Sequence, residues 1–122
     1  MVADPAVIGN ESTACNTDVL KLVIRCYAAA IEDLKEAKGM HGSEPSRDAA
    51  YDKIRHAQDV ITELLVGLDY ERGGSVAQNL SRIYNFILRE LIVIHTKKTT
   101  EIYDQLIRML EDLKGAWEQI CS

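Results

Sequence analysis

Proline is nearly absent from this 122-residue chain, with Pro5 and Pro45 the only two. Proline removes a backbone donor and clashes with the preceding turn, so its absence after residue 45 leaves long segments in which nothing interrupts a helix. Cysteine is as scarce: Cys15, Cys26 and Cys121 are odd in number, widely spaced, and form no Cys-x-x-Cys pair. That set speaks against a disulfide framework or a zinc knuckle and reads as reduced thiols of a cytosolic protein. Cations gather nowhere beyond Lys97-Lys98 and the formal charge is −5. This argues against a nucleic-acid groove, which needs clustered Lys and Arg, and makes another protein the better partner. No apolar run approaches ~20 residues, so no membrane span is expected. The opening MVADPAVIGN lacks the basic and apolar regions of a secretory signal.

Catalytic patterns are missing too, each for a readable reason. Di-metal sites in helical bundles use Glu-x-x-His pairs, but the residues three before His41, His56 and His95 are Lys38, Lys53 and Ile92. Phosphorelay chemistry would need an exposed helical histidine with cationic neighbours; His56 follows Arg55, yet Asp52 and Asp59 would oppose a phosphoryl group. The three histidines therefore read as surface or helix-end residues. Gly-x-Ser-x-Gly is absent, and Gly73-Gly74 lacks the spacing and the Lys-Ser or Lys-Thr of a phosphate loop. Cys26 is better explained as a small buried hydrophobe than as a nucleophile. No cofactor, metal or catalytic residue is expected.

What the chain does contain is helical periodicity, with 47% of residues apolar. Residues 1–15 read as a mobile tail around Pro5 and Gly9, in which Ala6-Val7-Ile8 is an apolar tooth able to fold back into a groove. Residues 16–122 read as one domain. Helix one should start at Asn16, Thr17 or Asp18 and stop at Gly39, with Val19, Val23, Tyr27, Ala30, Leu34 and Ala37 as its buried stripe. Leu22, Cys26 and Ala29 form a second apolar strip beside it. Helix two, about residues 46–67 with Ser43 or Ser46 as its cap, carries Ala50, Ile54, Ala57, Ile61, Leu64 and Leu68, flanked by Tyr51, Val60 and Leu65, and turns Asp52, Arg55, Asp59 and Glu63 outward.

Around residues 68–74, the segment LDYERGG, the chain should reverse, since glycine alone enters positive φ freely. Ser75 and Gln78 would then form a capping box at the start of helix three. Its expected stripe is Val76, Leu80, Ile83, Ile87, Leu91 and Ile94, yet Tyr84, Phe86, Leu88, Ile92 and Val93 leave few polar positions. Such a helix is central in its bundle or covered by a partner. Helix four should be capped by Thr99 or Thr100 and follow Ile102, Leu106, Met109 or Leu110, Leu113, Trp117 and Ile120.

Four helices of about 20 residues on short turns predict an all-α, antiparallel up-down-up-down four-helix bundle; a homodimer exchanging two helical hairpins has the same local pattern. The apolar surplus points to a groove for an extended or helical segment of another protein, with Leu22, Cys26, Phe86, Leu88 and Val93 as the candidate contacts. Bundle packing or dimerisation would account for the surplus equally well.

The stretch LDYERGGSVAQNLSRIYNFILREL resembles the signature of the flagellar secretion chaperone family FliS, through Leu68, Asp69, Gly73, Gly74, Asn79, Leu80 and Tyr84. The likeness extends to Ala57-Gln58-Asp59-Val60-Ile61 and Leu64, and to Leu113 and Trp117. In helix one Tyr27 and Ala30 match, while the family's Asp-Gly pair and a tyrosine of its N-terminal tail are missing. The resemblance implies a cytoplasmic, bacterial, non-enzymatic chaperone. It would bind the disordered C-terminal region of flagellin, prevent premature polymerisation and assist delivery to the flagellar type III secretion apparatus. The alternative is a non-catalytic helical module that binds another flagellar or secretion-system protein. The signature turn itself reads as architectural, with Asp69 and Asn79 bonding end groups of the adjacent helices.

Overall fold

The structure, a computed structural model, describes residues 17–42 and 47–120. The tail expected over residues 1–15, the caps proposed at Ser43 and Ser46, and Cys15 and Cys121 lie outside the described residues. Four helices follow one another: α1 (Thr17–Met40), α2 (Arg47–Val66), α3 (Tyr70–Val93), a 3-10 turn (Ile94–Thr96) and α4 (Glu101–Ile120). Antiparallel ion pairs join them. Lys38 meets Asp104 at 2.7 Å and Lys35 meets Glu111 at 3.7 Å across α1 and α4, while Lys53 meets Glu36 at 2.8 Å across α1 and α2. All three are half-exposed and fix register more than they stabilise.

Helix α1 packs closely against both α2 and α4, and α2 also packs against α3; α3 and α4 approach one another least among sequential neighbours. The core is one cluster, filled largely by Tyr27, Tyr84, Tyr103, Leu34, Ile61 and Leu64, all fully buried. The α1 stripe from Val23 to Ala37 and the α2 stripe from Ala50 to Leu64 are buried as the periodicity requires. Two other stripes differ from expectation at some of their positions. In α3 the buried face is Gly73, Ala77, Leu80, Tyr84, Ile87 and Leu91, with Val76 exposed and Ile83 only partly covered. Glycine and alanine at its start let backbones approach, and further on the Tyr84 hydroxyl finds a hydrogen-bonding partner inside. In α4, Tyr103 and Ile107 join Leu106, Leu110 and Trp117 inside, while Ile102, Met109 and Leu113 sit at the edge.

The helix boundaries also depart from expectation. Gly39 lies within the last turn of α1, and the reversal falls at Gly42, whose φ is +79°. At the other end of the bundle the chain turns over Gly67 to Asp69, and Asp69 caps α3 by accepting the Arg72 N–H at 3.1 Å. The predicted start at Ser75 is thus preceded by one helical turn. Gly74, at φ +53° and ψ −128°, interrupts the helix after that turn. That region belongs to glycine.

Candidate interaction surface

The edges of the helices, more than their cores, decide what can dock here. On α1, Leu22, Cys26, Ala29, Asp33 and Glu36 fall at i, i+4, i+7, i+11 and i+14, and so share one edge. Glu36 and Asp33 reach Lys53 and His56 of α2, the latter through His56 Nδ1. Leu22, 42% exposed, and the partly buried Cys26 therefore line the rim of the α1–α2 seam. Burial, with a smaller contribution from the Glu63 carboxylate, raises the Cys26 thiol above its ordinary value, which keeps it protonated and poorly nucleophilic.

On α3, Ser81, Leu88 and Ile92 share one edge, and past the end of that helix, in the 3-10 turn, the His95 ring stands edge-on to Tyr51 of α2 at 5.2 Å. Ile83, Phe86, Glu90 and Val93 occupy the other edge. There Glu90 borders a shallow cleft whose opposite wall is Ile102 and Gln105 of α4. Phe86 is partly buried against the core, Leu88 likewise, and Val93 is 38% exposed. Of the five candidate residues, Leu22 and Cys26 lie on the α1–α2 edge, while Leu88 falls on one side of α3 and Phe86 and Val93 on another.

The five candidate contacts left out several other apolar side chains of this surface. Val66 and Ile92 are 78% and 62% exposed, and Tyr70 and Val76 are also open to solvent. Val66 could have been found from its phase, which falls opposite Leu64 and Ile61 on α2. The α3–α4 seam adds Ile83, Ile102, Met109 and Leu113, partly covered because the two helices stand apart.

The signature residues sit elsewhere, in the frame. Leu68 and Leu80 are buried in the core, as are Gly73 and Tyr84. Asp69 is the cap of α3 and Gly74 its interruption. Asn79 makes no bond to a helix end; its carboxamide oxygen accepts from Arg82 at 3.3 Å on the surface. Tyr84 and Tyr27 are joined hydroxyl to hydroxyl, and Trp117 donates its indole N–H to Tyr27 Oη at 3.0 Å. Three helices meet in this buried chain of hydrogen bonds. Burial, partly offset by these bonds, raises the Tyr27 phenol above 10, and burial alone raises Tyr103.

The histidines are occupied or peripheral. His41 lies at the end of α1, with Nε2 at 2.8 Å from the Lys97 carbonyl and Nδ1 at 3.1 Å from the Tyr103 hydroxyl. Among the described residues no group of three His, Cys, Asp or Glu side chains could hold a metal ion. None of the described helices is long and apolar enough to cross a membrane.

The family model described as Flagellar protein FliS matches residues 5–122. The flagellar secretion chaperone FliS of Vibrio cholerae is 30% identical over 102 residues, 82% of this chain and 73% of that protein. FliSB of Pseudomonas aeruginosa, also a flagellar secretion chaperone, is 28% identical over 110 residues, 90% of this chain and 86% of its own. The match spans all four helices and the turn motif alike, and the chain belongs to the FliS family of flagellar secretion chaperones.

Proposed function

We propose that this chain is a cytoplasmic holdase for flagellin. In this reading it binds the disordered C-terminal region of flagellin, keeps subunits from polymerising, and assists their delivery to the flagellar type III secretion apparatus. The observation that carries the reading is the apolar surface exposed on the described helices, from Leu22 and Val66 to Ile92 and Val93, in a member of a secretion-chaperone family. Polymerisation-prone amphipathic segments need a complementary apolar face, and one-to-one holding requires no nucleotide. The ordering cost of a flexible client is offset by the apolar area it buries.

The spread of Leu22, Cys26, Leu88, Phe86 and Val93 over one edge of α1 and two sides of α3 favours an extended client that wraps the bundle over one lying in a single groove. Neighbouring helix axes are roughly 8–10 Å apart and each helix is roughly 30 Å long, so a path visiting all five needs on the order of a dozen extended residues. The loose α3–α4 seam is where client side chains insert most deeply, beside Phe86.

The test is calorimetry with a peptide from the C-terminus of flagellin. A saturable one-to-one endpoint is expected. Phe86→Asp and Val93→Asp should each weaken binding about tenfold or more by placing a charge against apolar atoms, with helical circular dichroism retained. Unchanged affinity in both would reject this surface. Capture of another secretion component by the full chain, indifferent to removal of the flagellin tail, would favour the alternative module.

A further inference from the structure

One carboxylate of this chain stands without a partner in apolar surroundings. Glu90 of α3 is half-buried and makes no ion pair or hydrogen bond. Nor can the rest of the chain supply a basic side chain from elsewhere, because residues 1–16, 43–46 and 121–122 contain no Lys, Arg or His. On its own helix the neighbours at i±3 and i±4 are Phe86, Ile87, Val93 and Ile94, all apolar. Across the shallow cleft that it borders stands Ile102 of α4. A carboxylate withdrawn from water among such atoms is unfavourable until a cation reaches it.

The helix dipole adds to the mismatch. Glu90 lies in the last turn of α3, which holds no basic residue, so the negative end of that helix opposes it. Glu101 borders the same cleft but sits in the first turn of α4, where the dipole favours an acid. Lys97, exposed on the rim, pairs with neither carboxylate. Its charge and that of Glu101 are opposite, which leaves Glu90 as the odd charge of the cleft; Thr99 and Gln105 complete the lining with neutral groups. The chain as a whole carries −5, which draws in a cationic segment and repels a second copy of itself.

We propose that the α3–α4 cleft takes an apolar segment of a partner polypeptide that carries a lysine or arginine, the cation on Glu90 and the apolar side chains along Phe86, Val93 and Ile102. This rests on the holdase reading and adds the charge its client must present. The probes are two acetylated, amidated peptides, Ser-Leu-Gln-Ala-Leu-Lys-Ala-Leu-Gln-Ser and its twin with glutamine in place of the lysine. They are titrated into the full chain by calorimetry and placed by amide chemical shifts. The lysine peptide should bind about fivefold more tightly than its twin, with shifts at Glu90 and Ile102. Glu90→Gln should erase that difference without lowering Tm, because the native carboxylate has no internal partner to lose. Glu90→Lys should reverse the order through like-charge repulsion, and Glu101→Gln should keep the preference. Equal binding of the two peptides, shifts away from the cleft, a preference that survives Glu90→Gln, or a lowered Tm in that variant would each overturn the proposal. A dimer in light scattering that both peptides dissociate equally would give the cleft to a second copy and overturn it too. The flagellin C-terminal peptide is titrated separately. If it fails to bind while the lysine peptide keeps its preference, flagellin is removed as client and the charge selection stands; if it binds while the two probes are indistinguishable, the holdase stands and the selection falls.

Discussion

Replacing Tyr27 by phenylalanine is the sharpest test of whether the signature tyrosine, Tyr84, serves the frame or the client. Trp117 N–H can only donate, and it donates to Tyr27 Oη, which is also hydrogen-bonded to the Tyr84 hydroxyl. Tyr27→Phe removes the acceptor of a buried indole, at about 1–3 kcal/mol, and deletes a second bond worth about 0.5–1.5 kcal/mol. A total of about 2–4 kcal/mol follows, lowering Tm by about 4 °C per kcal/mol in a domain of this size. Tyr84→Phe leaves the Trp117–Tyr27 bond intact and should cost less. Denaturant unfolding reports both, followed by far-UV circular dichroism and by the single tryptophan, Trp117. The double variant should lie well short of the sum, because residues bonded to each other are not independent; additivity within about 0.5 kcal/mol would refute the chain of hydrogen bonds. If Tyr84 instead contacted the client, Tyr84→Phe would weaken flagellin binding at temperatures where the variant is fully folded. No such loss is expected.

Gly74→Ala should destabilise by about 1–3 kcal/mol through backbone strain alone, since φ is +53° and no atom lies within 4 Å of the added carbon. Gly115→Ala, equally uncrowded but inside α4, should stabilise by about 0.5–1 kcal/mol; thermal melts of the pair check both signs. Asp69→Ala should cost about 1 kcal/mol by uncapping α3, whereas Asn79→Ala, on a surface bond, should change stability by less than about 0.5 kcal/mol. The buried phenols give an alkaline limit. The unfolded chain releases tyrosine protons near pH 10 while native Tyr27 and Tyr103 hold theirs, so the unfolded state binds fewer protons there and stability falls as pH rises above about 10. Urea midpoints between pH 8 and 11 should show the decline, and Tyr103→Phe should lessen it.

The α1 and α2 stripes were legible because their buried side chains are aliphatic or aromatic at strict 3.6-residue spacing. In α3 and α4 the same rule found most of the stripe, from Leu80, Ile87, Leu91 and Ile94 to Leu106, Leu110 and Trp117, but chose Val76 and Ile102 over Ala77 and Tyr103. Hydropathy ranks valine and isoleucine above alanine and tyrosine, but packing prefers a small residue where backbones approach and a phenol where a polar partner waits. The start of α3 was misplaced for a related reason: two glycines signal a turn without saying which bends, and an aspartate five residues earlier turned out to be the cap. The candidate contacts were named from surplus hydrophobicity, which reports how much apolar surface remains but not on which edge. Partition into seams depends on which helices are neighbours, and only the assembled bundle supplies that.

The first and last helices hold each other, with Trp117 bonded to Tyr27 across 90 residues of chain. A nascent polypeptide that has emerged only as far as the 3-10 turn would display the Val23–Leu34 stripe with nothing on its α4 side. Competence thus arrives only once α4 has been made: an abbreviated product is itself a sticky, clientlike polypeptide, and a premature stop before residue 117 yields something in need of protection instead of a protector.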